Sequence, residues 1–242
     1  MKLINLPNII TCCNLLCGCY SIHAGLNGQM GAACFLIILG AIFDFFDGMS
    51  ARALHISGPI GKELDSLADC VTFGVAPAVL CFHILGTFIA GLGHIDPITA
   101  FLPTVAFIMA AFSALRLAKF NCDERQSLSF IGMPTPANAL LWIGLVYLNQ
   151  IPAVHDFRWT FAIILVLMVA CCYLLICELP MFSLKIKPGH MGIKENAIRY
   201  TFLVLCAVII VSAAISGYFL ACFAPIILFY IIFSIIDNCI KH

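Results

Sequence analysis

The 242-residue sequence predicts an all-α polytopic membrane protein with about eight transmembrane helices. Three observations carry that expectation. Hydrophobic residues make up 63% of the chain and charged residues only 10%, with a mean hydropathy of +1.09, a composition that places it among polytopic membrane proteins. Eight windows of about twenty mostly apolar residues, each long enough to cross a hydrocarbon core, are separated by helix breakers. If the N-terminus is inside, eleven of the twelve lysines and arginines fall on the cytoplasmic side and only Arg158 falls outside.

The windows follow one another along the chain. The first, 8–27, is preceded by Lys2 and interrupted by Pro7, Asn8 and Asn14; no A-x-A pattern follows it, so it reads as a retained span rather than a cleaved signal. Gly25 and Gly28 end it, and 31–52 runs to the Gly58-Pro59 break. The third window, 66–90, closes at Gly91, Gly93 and Pro97, and 98–118 follows. Gly132 and Pro134 introduce 134–151, Pro152 ends it, and 159–178 reaches the break at Pro180 and Pro188. Gly217 alone divides 199–217 from 219–238. No internal repeat or soluble domain interrupts the pattern. One membrane domain over 1–242 is expected, with a six-helix core over 1–180 and a cytoplasmic loop plus two further helices over 181–242.

Zero net charge leaves no basic field that would draw nucleic acid. The fourteen cysteines lie mostly inside apolar runs, where thiols act as small hydrophobes, and a disulfide framework is not expected. His23, His83, His94 and His155 fall at or near the outer side, and His55 reads as solvated. Trp142, Tyr147 and Trp159 suit interfacial belts or bundle packing.

The chemistry is carried by acids. Asp44 and Asp47 stand three apart near the end of the second span, and Asp65 and Asp69 stand four apart at the start of the third. Those spacings put each pair on one helix face, with the pairs facing each other across a short cytoplasmic turn. An acid at a bilayer centre costs about 2.5–3.5 kcal/mol on insertion scales. A cluster of four is therefore expected to be neutralised by hard cations such as Mg²⁺ or Mn²⁺, which carboxylate oxygens suit. Two such ions can clamp both oxygens of a phosphoryl displacement. Gly48, Ala51 and Gly61 are small enough to let a phosphate approach the backbone, and Arg52 adds a fixed guanidinium fork.

The run Asp44-x2-Asp47-Gly48-x2-Ala51-Arg52-x8-Gly61-x3-Asp65-x3-Asp69 resembles the signature of the CDP-alcohol phosphatidyltransferases at every position. The resemblance implies a six-helix core, a homodimer, and a dimetal site open to the cytoplasm. By it, Asp44, Asp47 and Asp65 are metal ligands, Asp69 is a ligand or the general base, and Gly48, Ala51, Arg52 and Gly61 line the CDP pocket. Leu6-Pro7-Asn8-Ile-Ile-Thr11-x2-Asn14, Ser66 to Ala78, Arg116-Leu-Ala-Lys119-Phe-Asn121 and Gly132 to Ala137 resemble the phosphatidylserine synthase branch. That similarity covers about 6–188 and implies nucleotide contacts from Asn8 and Thr11. Thr72, Lys119 and Asn138 depart from the branch, which usually carries serine, arginine and alanine there.

The expected substrates are CDP-diacylglycerol, drawn from the surrounding membrane lipids, and L-serine, whose carboxylate Arg116 would take with support from Lys119. Rival readings are another acceptor, glycerol 3-phosphate or inositol phosphate, and an ion transporter. A phosphorylated acceptor calls for more cations than Arg116, Lys119 and Arg125 supply. A transporter calls for binding residues repeated in a second half, which this chain lacks. The expected location is a bacterial inner membrane, with the site facing the cytoplasm.

Overall fold

The computed structural model describes residues 4–56, 58–91, 96–123, 131–155, 159–181 and 193–241. Arg125, Arg158, Lys185, Lys187 and His94, used in the sequence reading, lie outside them. Helix α1 (Leu6–Leu26) starts where the Asn5 side chain accepts the Asn8 N–H at 2.8 Å and Pro7 occupies the first turn. Gly28, at φ 75°, reverses the chain into α2 (Met30–Ala53). Gly58 and Pro59 then open α3 (Pro59–Asp69), a single π-helical turn follows over Cys70–Val75, and α4 (Ala76–Ala90) completes one rod of 32 residues.

The fourth rod joins α5 (Pro97–Phe101), a 3₁₀ segment (Leu102–Phe107) carrying Pro103, and α6 (Ile108–Cys122). After it come α7 (Thr135–Asn149), the one-turn α8 (Pro152–His155) and α9 (Thr160–Ile176). Helix α10 (Ile193–Ile215), a 3₁₀ turn (Phe219–Cys222) and α11 (Phe223–Lys241) end the described chain. Every expected window is found as a helix.

Among the described residues, five rods are long and apolar enough to cross a membrane: Leu6–Leu26, Met30–Ala53, Pro59–Ala90, Pro97–Cys122 and Phe219–Cys239. The apolar stretches Thr160–Ile176 and Arg199–Ile215 are shorter. The described chain is thus an all-α, polytopic membrane protein, with α4 and α7 at its centre. Phe73, Leu80, Ile84, Leu85, Leu141, Trp142 and Ile143 are fully buried, and the Trp142 indole donates to Asn138 Oδ1 at 3.2 Å. Ala224, Ile227 and Ile231 of α11 join that core. Apolar side chains such as Phe35, Val166, Val169, Val204 and Val211 point outward, as lipid contact requires.

One seam positions the site. Helix α1 buries a stripe of small and polar residues (Asn8, Thr11, Asn14, Gly18, Ser21, Gly25) against α2 and the third rod. A Cβ on Gly18 would stand 2.5 Å from Thr72 Oγ1 and 2.9 Å from Thr72 Cα, and one on Gly40 would stand 2.6 Å from Thr72 Cγ2. Glycine at both positions lets three helices close on the π-helical turn.

Candidate active site

The acids converge where α1, α2 and α3 share one end of the bundle. On α2, Asp44 lies about one turn and Asp47 about two turns beyond the buried Gly40, and α3 carries Asp65 and Asp69. Each of Asp44, Asp47 and Asp65 offers a carboxylate oxygen, and these oxygens lie within 4.8 Å of one another. Asp47 is only 6% exposed, while Asp44 and Asp65 are half-buried. Asp44 and Asp65 stand side chain to side chain, and the Thr11 hydroxyl reaches Asp47.

This donor set fits a hard divalent cation. Asp47 Oδ2 and Asp65 Oδ1 are buried and make no hydrogen bond within the protein. Three ionised carboxylates so close together repel strongly unless a cation lies among them. Asp69 stands outside this trio. Its Oδ1 accepts from Asn14 Nδ2 at 3.2 Å, while it remains within electrostatic reach of Asp44, Asp65 and Asp47.

A cavity of about 270 Å³ opens beside the trio. Of the residues expected at the nucleotide, Asn8, Thr11, Gly48, Ala51 and Gly61 all line it, along with Asp47 and Asp65. Arg52 does not. It is exposed, and its Nε donates to the Gly48 carbonyl of its own helix at 3.0 Å. Pro7, Ile56, Gly58 and Lys62 also line the cavity, and none of them is among the residues expected at the nucleotide. Lys62 Nζ donates to the Asn121 carbonyl at 2.8 Å, and Asn121 Nδ2 donates to Ser66 Oγ at 2.8 Å. These bonds fasten α6 to α3 directly beside Asp65.

The two cations expected at the acceptor part company. Arg116 is 7% exposed, lies over the Phe120 ring at 5.0 Å, and is within electrostatic reach of Asp69. Its Nε is buried and makes no hydrogen bond. Lys119 turns the other way, donating to the Ile176 carbonyl at 3.2 Å and standing 3.4 Å from Glu178 Oε1. The free carbonyls at the end of α9 attract that ammonium. Arg116 was separable from Lys119 by position, since it lies nearly a turn deeper on α6.

A buried carboxylate cluster beside a cavity lined by small residues can hold a phosphorylated ligand against cations. Comparison with known proteins agrees with that arrangement. The CDP-diacylglycerol–serine O-phosphatidyltransferase of Bacillus subtilis is 38% identical over 131 residues, which cover 54% of this chain and 69% of that protein. The enzyme of the same name from Helicobacter pylori strain 26695 is 34% identical over 146 residues, 60% of this chain and 58% of its own length. The archaetidylserine synthase of Methanothermobacter thermautotrophicus is 34% identical over 140 residues, 57% of this chain and 55% of that one. The chain therefore spans little more than half the length of the last two. A family model described as CDP-alcohol phosphatidyltransferase matches residues 4–175, and that stretch contains α1 through nearly all of α9, every acid of the cluster and the whole cavity lining. On that coverage, the chain belongs to the CDP-alcohol phosphatidyltransferase family.

Proposed function

We propose that this chain transfers the phosphatidyl group of CDP-diacylglycerol to the hydroxyl of L-serine and releases CMP. The observation that carries the reading is the junction of one cavity, lined by Asn8, Thr11, Gly48, Ala51 and Gly61, with the Asp44, Asp47 and Asp65 trio. The names of the relatives supply the donor and acceptor. Asn8 and Thr11 would face the nucleotide, and the small residues of α2 and α3 would admit its pyrophosphate.

Asp44, Asp47 and Asp65 would hold divalent cations, Mg²⁺ or Mn²⁺, which when bound offset charge on the pyrophosphate as its bridging bond opens. Asp69, set apart from the trio, would accept the proton of the serine hydroxyl. The serine oxygen then bonds to the lipid-bearing phosphorus, and CMP departs with the electrons of the broken P–O bond. Arg116 would take the serine carboxylate, because its buried Nε has a hydrogen bond to give and its guanidinium lies near Asp69. Lys119 would act on Arg116 only indirectly, through the packing of α6 against α9.

The placement of lysine and arginine supports a cytoplasmic site, and relatives from bacteria support a bacterial cell membrane. The family match ending at residue 175 supports a catalytic core over 1–180, with the last two helices as an addition. A homodimer is proposed with the family.

Purified protein supplied with CDP-diacylglycerol and a divalent cation is expected to release CMP with serine, and not with glycerol 3-phosphate or inositol phosphate. CMP release with a phosphorylated alcohol but not serine would replace the acceptor. Absence of divalent-dependent CMP release with any alcohol would remove the reaction. Arg116→Ala is expected to raise the apparent KM for serine by about 10²-fold, the scale of losing a buried charge-assisted hydrogen bond, with the KM for the lipid nearly unchanged. An unaltered serine dependence would take Arg116 out of the site.

A further inference from the structure

Asn14 is the polar group of α1 that the reading above leaves without a task. It is fully buried, its Nδ2 donates to Asp69 Oδ1 at 3.2 Å, and its backbone carbonyl accepts from Thr72 Oγ1 at 2.9 Å. The far side of its amide is fixed by packing, because a Cβ on Gly40 would stand 2.9 Å from Asn14 Oδ1. Asn14 is thus tied at its backbone carbonyl by Thr72 on the π-helical turn, while its side-chain amide packs close beside Gly40 and donates to Asp69. A buried amide with its oxygen unpaired is costly unless something else is gained by its place.

We infer that Asn14 is a positioning residue for Asp69: it occupies one carboxylate oxygen so that the other is presented to the acceptor hydroxyl. The inference rests on the reading of Asp69 as the base. An Asp side chain free to turn about its terminal torsion would spread its proton-accepting lone pairs over a wide arc. One donor anchored to a neighbouring helix removes that freedom. The anchor is also geometrically coupled to the site, since Thr72 lies three residues beyond Asp69 and ties the same turn to α1.

The decisive comparison is Asn14→Leu, which keeps the γ-branched shape and heavy-atom count of asparagine and removes the donor. In enzyme active with serine and CDP-diacylglycerol, kcat is expected to fall by about 10²-fold, the scale of a misplaced reacting group. KM for the lipid and for serine is expected to stay within about two-fold, as is Mn²⁺ affinity followed by the paramagnetic signal of the free ion. Asn14→Ala is expected to match Asn14→Leu in kcat. A purely structural role predicts instead that leucine is tolerated far better than alanine, and that result would overturn the inference. So would a loss of Mn²⁺ affinity in step with kcat, which would place Asn14 at the cation trio. Should both variants fail to fold, Thr72→Val removes only the hydroxyl that anchors the Asn14 carbonyl. A several-fold fall in kcat at constant KM supports the inference there, and an unchanged kcat rejects it. Wild-type protein without divalent-dependent CMP release would instead defeat the underlying reading.

Discussion

Asp65→Asn is expected to lower CMP release by roughly 10³-fold or more, the scale of removing a principal electrostatic stabiliser, while raising the melting temperature of the cation-free protein. The two effects come from one arrangement. Oxygens of Asp44, Asp47 and Asp65 lie within 4.8 Å of one another. Ionised pairs at that separation repel by about 3 kcal/mol at an effective dielectric of 20, less where solvent reaches the half-exposed Asp44 and Asp65. An amide at position 65 removes two of the three repulsions and leaves the packing nearly unchanged. Melting curves with EDTA and with Mn²⁺ check both halves. Wild-type protein should gain stability on adding the cation, and the variant should gain little. A variant that is less stable than wild type in EDTA would show that the trio is held by contacts other than the cation.

That opposition of stability and activity is what distinguishes a site from a set of interfacial charges. Acids at helix ends, paired with lysine and water, would lose a little stability on neutralisation and affect nothing else. Here two cations close in sequence to the acids are otherwise engaged: Lys62 on the Asn121 carbonyl and Arg52 on the Gly48 carbonyl. On the proposed reading, the fold bears the repulsion among the three carboxylates until a cation is bound.

How much of this could be read from the chain follows from the range of each interaction. Spans are sums over twenty residues, so local errors average out, and each window is found as a helix. The third was placed at 66–90 but begins at Pro59, because Lys62 and Glu63 lower the hydropathy of its first turns. Breaker logic, Gly58 followed by Pro59, located that start better than hydropathy did. The acid trio was legible because it depends on one helical spacing, Asp44 to Asp47, and one short turn. The π-helical turn over Cys70–Val75 was not, since nothing in the Cys-Val-Thr-Phe-Gly-Val run distinguishes it from α-helix. The Asn14–Asp69 bond joins residues 55 apart and exists only after α1 has packed. Lys119 and Arg116 differ by three residues on α6 yet reach different partners, a distinction set by where the end of α9 lies.

Gly18→Leu is expected to be the change outside the acids that disturbs fold and site together. The side chain would have to enter where even a Cβ stands 2.9 Å from Thr72 Cα and 3.0 Å from Thr72 N, which are backbone atoms that no rotamer change can move aside. Helix α1 must therefore shift from the third rod. Overpacking of this kind costs about 1–3 kcal/mol where neighbours can adapt, and rigid backbone puts this position at or above the upper end. The catalytic consequence is separate from the loss of stability. Helix α1 brings Asn8 and Thr11 to the cavity and Asn14 to Asp69, whereas the third rod brings Gly61, Asp65 and Asp69. Widening that seam by about 1 Å separates the two halves of the site, which is enough for about a 10²-fold fall in CMP release even at a temperature where the variant remains folded. Gly86→Leu serves as the control, because no atom lies within 4 Å of a Cβ there, and it should alter neither melting nor turnover. If Gly18→Leu lowered the melting temperature but left turnover at the Gly86→Leu level, α1 would be a structural brace and the nucleotide would have to be held by α2 and α3 alone.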